Sequence, residues 1–128
     1  MTGRLLLAAL GLSLIPGIAC SLLSKGPGAT VRAFYLHLGK GEIDAAQQLL
    51  SSKVAAQLGA GKMRSVLEST ARDIAKKQGI SGVEVTREDV QGELASVTVL
   101  VTFGDRSTKT DDGKLVKEEG QWKLEASK

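Results

Sequence analysis

The chain has 128 residues, with 17 Lys and Arg against 14 Asp and Glu, so its formal net charge is only +3. It contains one cysteine and one histidine, and aromatic residues make up 3% of it. A zinc site needs several His or Cys ligands, and an internal disulfide needs two cysteines, so neither is predicted. A small basic excess with few aromatic side chains also argues against nucleic-acid binding. No cofactor is predicted.

The N-terminal segment has the layout of a secretory signal peptide. Arg4 supplies a positive start, residues 5–15 are almost entirely apolar, and the small residue Ala19 precedes Cys20. These are the three parts that such a signal requires. The apolar run is shorter than the roughly 20 residues that a membrane-spanning helix needs. The pattern therefore predicts a cleaved signal peptide over residues 1–19.

The end of this segment resembles the lipobox of bacterial lipoproteins, in which a small residue precedes the acylated cysteine. The resemblance implies that Cys20 receives a diacylglycerol and becomes the first residue of the mature protein. Ser21 in the next position implies the outer membrane, on its periplasmic side, if the cell has two membranes. Gly17 stands where the family prefers Leu, and ordinary signal peptidase cleavage to a secreted product is an alternative. A structural cysteine is another alternative.

Three segments are predicted from this arrangement: the signal peptide, a lipidated N-terminus with linker over residues 20–28, and a domain over residues 29–128. A fully extended linker of this length reaches about 25 Å. The domain is therefore expected to stay close to the membrane. One domain of this size can form a modest hydrophobic core.

The first part of the domain has helical periodicity. Apolar residues at i, i+3, i+4 and i+7 predict a helix from about Ala29 to Gly39. A second helix is predicted over Ile43–Leu50, with another turn possible at residues 53–58. The third helix is the clearest, because residues 63–74 keep one apolar face over three turns and Gly79 can end it.

The second part alternates with the period of strands. Strands are predicted at Val83–Arg87, Ala95–Phe103, Leu115–Glu118 and Gln121–Ala126, the last two joined by a glycine-containing turn. Residues 105–113 are either a long loop or the start of the third strand, bulged at the last residue of this segment. Helices followed by strands predict an α+β fold with an antiparallel sheet.

Two stretches resemble a known family. They are V-R-A-F-Y-L-H-L-G-K-G-E-I-D-A-A at residues 31–46 and L-V-K-E-E-G-Q-W-K-L at residues 115–124. Together they resemble a bacterial lipoprotein domain family of unknown function (family 4878), in the nuclear transport factor 2-like (NTF2-like), or SnoaL-like, superfamily. The resemblance implies a curved antiparallel sheet wrapped by helices into a cystatin-like cone. Such cones often enclose a pocket, and members often form homodimers through the sheet.

Enzymes of this superfamily place acids, His or Tyr inside the cone, and three residues of this chain are candidates for such a role. His37 lies off the apolar face and is predicted to be exposed. Tyr35 lies on that face and is predicted to be a core residue with a bonded hydroxyl. Asp44 lies in a first helical turn, where the helix dipole favours a surface acid. No catalytic residue is therefore predicted. Residues 111–113, Asp-Asp-Gly, lack the pattern of a calcium loop and favour a turn.

The predicted function is a non-enzymatic binding or interaction domain of the cell envelope, attached to the membrane by lipid on Cys20. A small hydrophobic ligand, an envelope protein or a second copy of the chain is the expected partner. The residues expected nearest a pocket, unless they simply fill the core, are Phe34, Tyr35, Val99, Val101 and Trp122. The alternatives are a cone-fold isomerase or hydrolase using Tyr35, and an accessory subunit of an envelope assembly.

Overall fold

Helices precede strands along the chain, and the fold is α+β, as predicted. The computed structural model describes residues 26–127, so the predicted signal peptide and Cys20 lie outside the described residues. The helices are α1 (Pro27–Gly39), α2 (Ile43–Gln47), α3 (Ser52–Leu58) and α4 (Ala60–Lys76). The strands are β1 (Ile80–Gln91), β2 (Leu94–Phe103), β3 (Thr108–Glu118) and β4 (Gln121–Ser127). No helix in this part of the chain is long and apolar enough to cross a membrane.

The strands form one antiparallel sheet in the order β1-β2-β3-β4. Strand β2 has the predicted alternation, since every second residue from Ala95 to Phe103 is buried against the helices. The residues between them, such as Thr98 and Leu100, are half-buried or exposed on the other face. The hydrophobic core therefore lies between one face of the sheet and the helices.

Helix α1 lies across this inner face and contacts β1, β2 and β4. It begins two residues before the predicted start, because Pro27 has the backbone angle of a first helical residue. The Gly28 N–H donates to Oε2 of Glu88 at 2.6 Å. A Cβ at Gly28 would lie 2.7 Å from that oxygen, so glycine lets the helix start approach β1. Val31, Tyr35 and other residues of the predicted apolar face are buried.

The second helix ends earlier than predicted, at Gln47 rather than Leu50. The Leu124 N–H donates to the Leu49 carbonyl at 2.8 Å, and the Ser51 N–H donates to the Leu124 carbonyl at 2.7 Å. These bonds pair Leu50 with Leu124 in a parallel bridge, directly after a hydrogen-bonded turn that ends the helix. The fully buried Ser51 then caps α3, since its hydroxyl oxygen accepts from the Val54 N–H at 3.3 Å.

Helix α4 confirms the prediction for the third helix. Met63, Leu67 and Ile74 are buried on one face, while the opposite face is charged. Gly79 has a φ of 82°, and its N–H donates to the Ile74 carbonyl at 3.0 Å. The first left-handed residue after the helix is Gln78, with a φ of 68°, so the predicted glycine follows the left-handed cap position instead of occupying it.

Two strands differ from their predicted limits. Strand β1 extends to Gln91, beyond the predicted end at Arg87, and its last residues are exposed on both faces. A shift in its pairing with β2 lies between Val85 and Arg87, which breaks the alternation there. Strand β3 starts at Thr108, so residues 105–113 are partly strand rather than wholly loop.

The turn predicted at residues 111–113 is wrong, and so is the bulge at Gly113. Asp111 pairs with Val99 and Gly113 pairs with Val97 in continuous register. The irregularity lies instead between β3 and β4, where Leu115 pairs with Leu124 but Lys114 pairs with Ala126. Turn-forming composition is overridden here by pairing to a long apolar strand, since strand propensity depends on neighbours across the sheet.

Candidate functional site

A cleft of about 100 Å³ lies between α1, the sheet and the chain beside β4. Its apolar walls come from Val31, Phe34, Leu50, Val99 and Leu124, and its polar side chains are Tyr35, Asp111 and Glu125. Wider grooves of about 460 Å³ open on the surface elsewhere, with more charged linings. The cleft is the candidate site because its lining joins α1 to β2, β3 and β4 and includes three of the five predicted pocket residues.

Gly113 forms part of the wall of the cleft. It is buried at an inward position of β3, where its neighbours two residues away are Asp111 and Leu115. A Cβ at this position would lie 3.3 Å from Cδ2 of Leu124 and 3.7 Å from Cγ2 of Val31. The missing side chain therefore lets Leu124 and Val31 pack close to β3 at the wall of the cleft.

A hydrogen bond between α1 and β3 forms one side of the cleft. The Tyr35 hydroxyl donates to Oδ2 of Asp111. Burial of the hydroxyl, followed by this hydrogen bond and the nearby negative charge of Asp111, raises the pKa of Tyr35 well above its usual range. The phenol is therefore neutral at physiological pH, and it is a weak candidate for proton transfer because it releases its proton with difficulty.

Glu125 supplies the second carboxylate. It is the residue of β4 that has no partner across the irregular pairing with β3. Its Oε1 lies 3.3 Å from Nζ of Lys53, whose side chain is 65% exposed, while that of Glu125 is 28% exposed. An exposed lysine held in this way contributes little stability. The cleft therefore joins an apolar interior to two acidic side chains.

The five predicted pocket residues divide into two groups. Phe34, Tyr35 and Val99 line the cleft. Val101 is completely buried in the core and Trp122 is half-buried against it, and neither lines the cleft. The Trp122 ring lies instead below Nζ of Lys117, at 5.5 Å.

Sequence reasoning did not select Asp111 and Glu125. A signal for Asp111 was present, since counting back in twos from Leu115 passes through Gly113 to Asp111 on the same strand face. That signal depends on recognising residues 108–114 as strand. No local signal existed for Glu125, because the irregular pairing that sets its position involves β3 as well as β4.

The other two candidates for a catalytic role, His37 and Asp44, lie outside the cleft. Nδ1 of His37 is 2.8 Å from Oε1 of Glu42, and this hydrogen bond lowers the pKa of Glu42. Asp44 is an exposed acid in the first turn of its helix, as predicted, and is 2.5 Å from Nη1 of Arg64. Within residues 26–127, no group of three or more His, Cys, Asp or Glu side chains is placed to hold a metal.

The sequence profile of the family described as a Domain of unknown function (DUF4878) matches residues 19–125. The chain belongs to this family, which confirms the resemblance. No curated protein sequence matches the chain significantly.

Solved structures support an NTF2-like fold. A Campylobacter jejuni protein provisionally described as an NTF2-like transpeptidase superposes with a TM-score of 0.64 at 16% identity, covering 75% of this chain and 94% of its own. A SEC-C motif-containing protein from Rhodopseudomonas palustris has a TM-score of 0.62 at 14% identity, covering 82% and 79%. A Kribbella flavida protein has a TM-score of 0.51 at 13% identity, covering 82% and 88%. At these identities the likeness concerns the fold alone.

The contact between Tyr35 and Asp111 predicts a specific pH dependence. Because the pKa of Tyr35 is raised in the folded state, its contribution to stability is present below the ordinary tyrosine pKa of about 10 and is lost as pH rises above it. We therefore expect the free energy of unfolding to fall more steeply above about pH 10 in the natural chain than in Tyr35→Phe. Urea unfolding at several alkaline pH values measures both slopes.

Ultraviolet absorbance provides an independent readout, since the chain has one tyrosine. Tyrosinate absorbance should rise only as the circular dichroism of the folded state is lost. A tyrosine that ionises near pH 10 while the protein remains folded would contradict the contact with Asp111.

Proposed function

We propose that this chain is a lipid-anchored protein of the bacterial cell envelope whose domain binds a small, largely apolar group and catalyses no reaction. The observation that carries the proposal is the cleft beneath α1, in which the phenol of Tyr35 is already committed to Asp111. A residue that catalyses proton transfer needs a pKa near the working pH, whereas the pKa of Tyr35 moves away from it.

The size of the cleft supports binding of a group rather than of a whole large molecule. Its volume of about 100 Å³ is well below the roughly 300–1,000 Å³ of sites that enclose drug-sized ligands. It suits a few heavy atoms, such as the end of an alkyl chain or one side chain of a partner protein. Such a group would contact Val31, Val99 and Leu124, which are already buried.

The proposed anchor follows from the sequence around Cys20 and from the start of the fold. Helix α1 begins at Pro27, so the extended chain between Cys20 and the domain spans roughly 25 Å at most. Two acyl chains hold a protein on a bilayer stably, whereas one holds it only marginally. A diacylated Cys20 would therefore keep the cleft within a short distance of the membrane surface.

Mass spectrometry of the protein purified from bacterial membranes tests both parts of the proposal. We expect a denatured mass that corresponds to cleavage before Cys20 plus a covalent diacylglycerol. Under native conditions we expect a further, non-covalent mass that is lost on activation. Cys20→Ser should remove the covalent lipid and abolish processing at this site.

The covalent lipid and the non-covalent ligand can each be absent without the other. An unmodified N-terminus at residue 20 would contradict the lipid anchor and support ordinary secretion. A lipidated protein that carries no non-covalent mass, and gains none from membrane extracts, would contradict the binding domain. Cross-linking in cells to one dominant protein would then favour an accessory subunit.

A further inference from the structure

The cleft combines an apolar interior with two carboxylates, and it supplies little positive charge to balance them. Asp111 receives a hydrogen bond from the neutral hydroxyl of Tyr35, at Oδ2 only. Among residues 26–127, no Lys, Arg or His nitrogen lies within 4 Å of the Asp111 carboxylate. Within the same range of residues, the basic group beside Glu125 is that of Lys53, which reaches it from solvent. The nearest basic residue along β3, Lys109, lines a groove with Lys76 and Lys77 that meets the cleft at Tyr35.

This arrangement favours a cationic guest. A carboxylate at an apolar surface loses hydration, and an opposite charge beside it offsets that cost. An entering ammonium group could approach Asp111 on the side that Tyr35 leaves open and could replace Lys53 at Glu125. The ring of Phe34 lies on the same wall and is held edge to face against Tyr35, with ring centroids 5.9 Å apart. An aromatic face also attracts a cation.

The apolar walls determine the chemistry of the uncharged part of the ligand. Val31, Val99 and Leu124 offer no hydrogen-bonding groups from their side chains, so the part of the guest between them must be hydrocarbon. A volume of about 100 Å³ is a few times the roughly 30 Å³ that one water molecule occupies in the liquid. A short alkyl chain with one charged end matches both the size and the polarity of the space.

We propose that the cleft selects an alkylammonium group, a short hydrocarbon chain that ends in a positive charge, with Asp111 and Glu125 as its charge-recognition residues. This inference rests on the proposed binding function and adds the charge of the ligand to it. A primary amine of a small molecule and a lysine side chain of a partner share this chemistry.

The test uses the full mature chain in nanodiscs of electrically neutral phosphatidylcholine, with ¹⁵N-labelled glycine. The Gly113 amide lies in the cleft and reports binding directly. The probes are n-butylammonium, 1-butanol and butyrate, which share one alkyl chain and differ in charge. We expect saturable shifts of the Gly113 signal with n-butylammonium, affinity about tenfold weaker for 1-butanol, and none detectable for butyrate.

Isosteric variants identify the groups that recognise the charge. Asp111→Asn and Glu125→Gln should each weaken n-butylammonium binding by about tenfold while leaving 1-butanol binding unchanged. Glu84→Gln is the matched control, because Glu84 is exposed and pairs with Leu100 on the opposite face of the sheet. Its affinities should equal those of the natural chain. Glu125→Gln serves as the independent test if Asp111→Asn does not fold.

The outcomes separate this inference from the function it extends. Equal binding of n-butylammonium and 1-butanol would overturn the charge selection and leave an apolar binding cleft. Preferred binding of butyrate would overturn it as well. If none of the three probes shifts the Gly113 signal, both the charge selection and the apolar binding site are overturned. If n-butylammonium binds selectively, comparing it with a lysine-containing peptide distinguishes a small-molecule amine from a lysine side chain of a partner as the source of the alkylammonium group.

Discussion

Replacing Leu115 with alanine is expected to lower the free energy of unfolding by about 2–5 kcal/mol, the usual range for removing a large aliphatic side chain from a core. Leu115 is 1% exposed on the inner face of β3. It pairs with Ala95 on one side and with Leu124 on the other, so its side chain lies between β2 and β4. Its loss would leave a cavity that neighbouring strands cannot easily close.

Leu94→Ala provides the matched control, because it removes the same atoms from a residue that is 58% exposed. Its effect should stay within about 0.5 kcal/mol of the natural chain. Urea unfolding measures the free energy of unfolding of both variants. An unchanged slope of this free energy against urea concentration checks that unfolding remains two-state. Equal effects at Leu115 and Leu94 would contradict the assignment of the inner face of the sheet.

Gly104→Ala is expected to destabilise the fold by about 3 kcal/mol through overpacking rather than through a cavity. Gly104 follows β2, and a Cβ there would lie 2.1 Å from the carbonyl oxygen of Gln78. The loop after β2 is also hydrogen-bonded to the loop after α4. The Gly104 N–H donates to the Gly79 carbonyl and the Asp105 N–H donates to the Lys77 carbonyl, each at 2.9 Å. The added methyl group must separate these two loops and weaken both bonds.

Gly61→Ala is the control for this substitution, because no atom lies within 4 Å of a Cβ built at Gly61 in α4. Alanine is the better helix former, so this variant should match the natural chain or gain up to about 1 kcal/mol. Thermal unfolding followed by circular dichroism compares the two glycine variants. A Gly104→Ala protein that unfolds at the same temperature as the natural chain would contradict the close approach of the two loops.

Periodicity was a sound guide wherever an element contacts the core along its whole length. Helix α4 and strand β2 have one apolar face throughout, and both were predicted nearly to their ends. The family was also recognisable, since residues 31–46 and 115–124 lie within the matched segment. Such elements are determined locally, because the side chains that define the pattern are those that become buried.

Periodicity failed where hydrogen bonds to another segment, rather than burial of one face, decide the backbone conformation. The end of β1 has no apolar face, yet it pairs with β2 as far as Gln91. The helical pattern of α2 continues to Leu50, but that residue is bridged to Leu124 instead. Asp111 has the composition of a turn and lies in a central strand. In each case the backbone hydrogen bonds come from another segment, a neighbouring strand for the end of β1 and for Asp111 and the residue Leu124 for the end of α2. The apolar pattern of the segment itself does not contain this information.

Local patterns along the chain were enough to predict the order of helices and strands, the apolar faces of α1, α4 and β2, and the family. The lipid on Cys20 is likewise a prediction from those patterns. The candidate site, by contrast, is formed by the packing of separate elements. Tyr35 and Asp111 are 76 positions apart and meet only because α1 packs on the inner face of the sheet. Glu125 faces the cleft because β3 and β4 pair irregularly. A site built from separate elements depends on their packing, which the spacing of residues along the chain does not reveal.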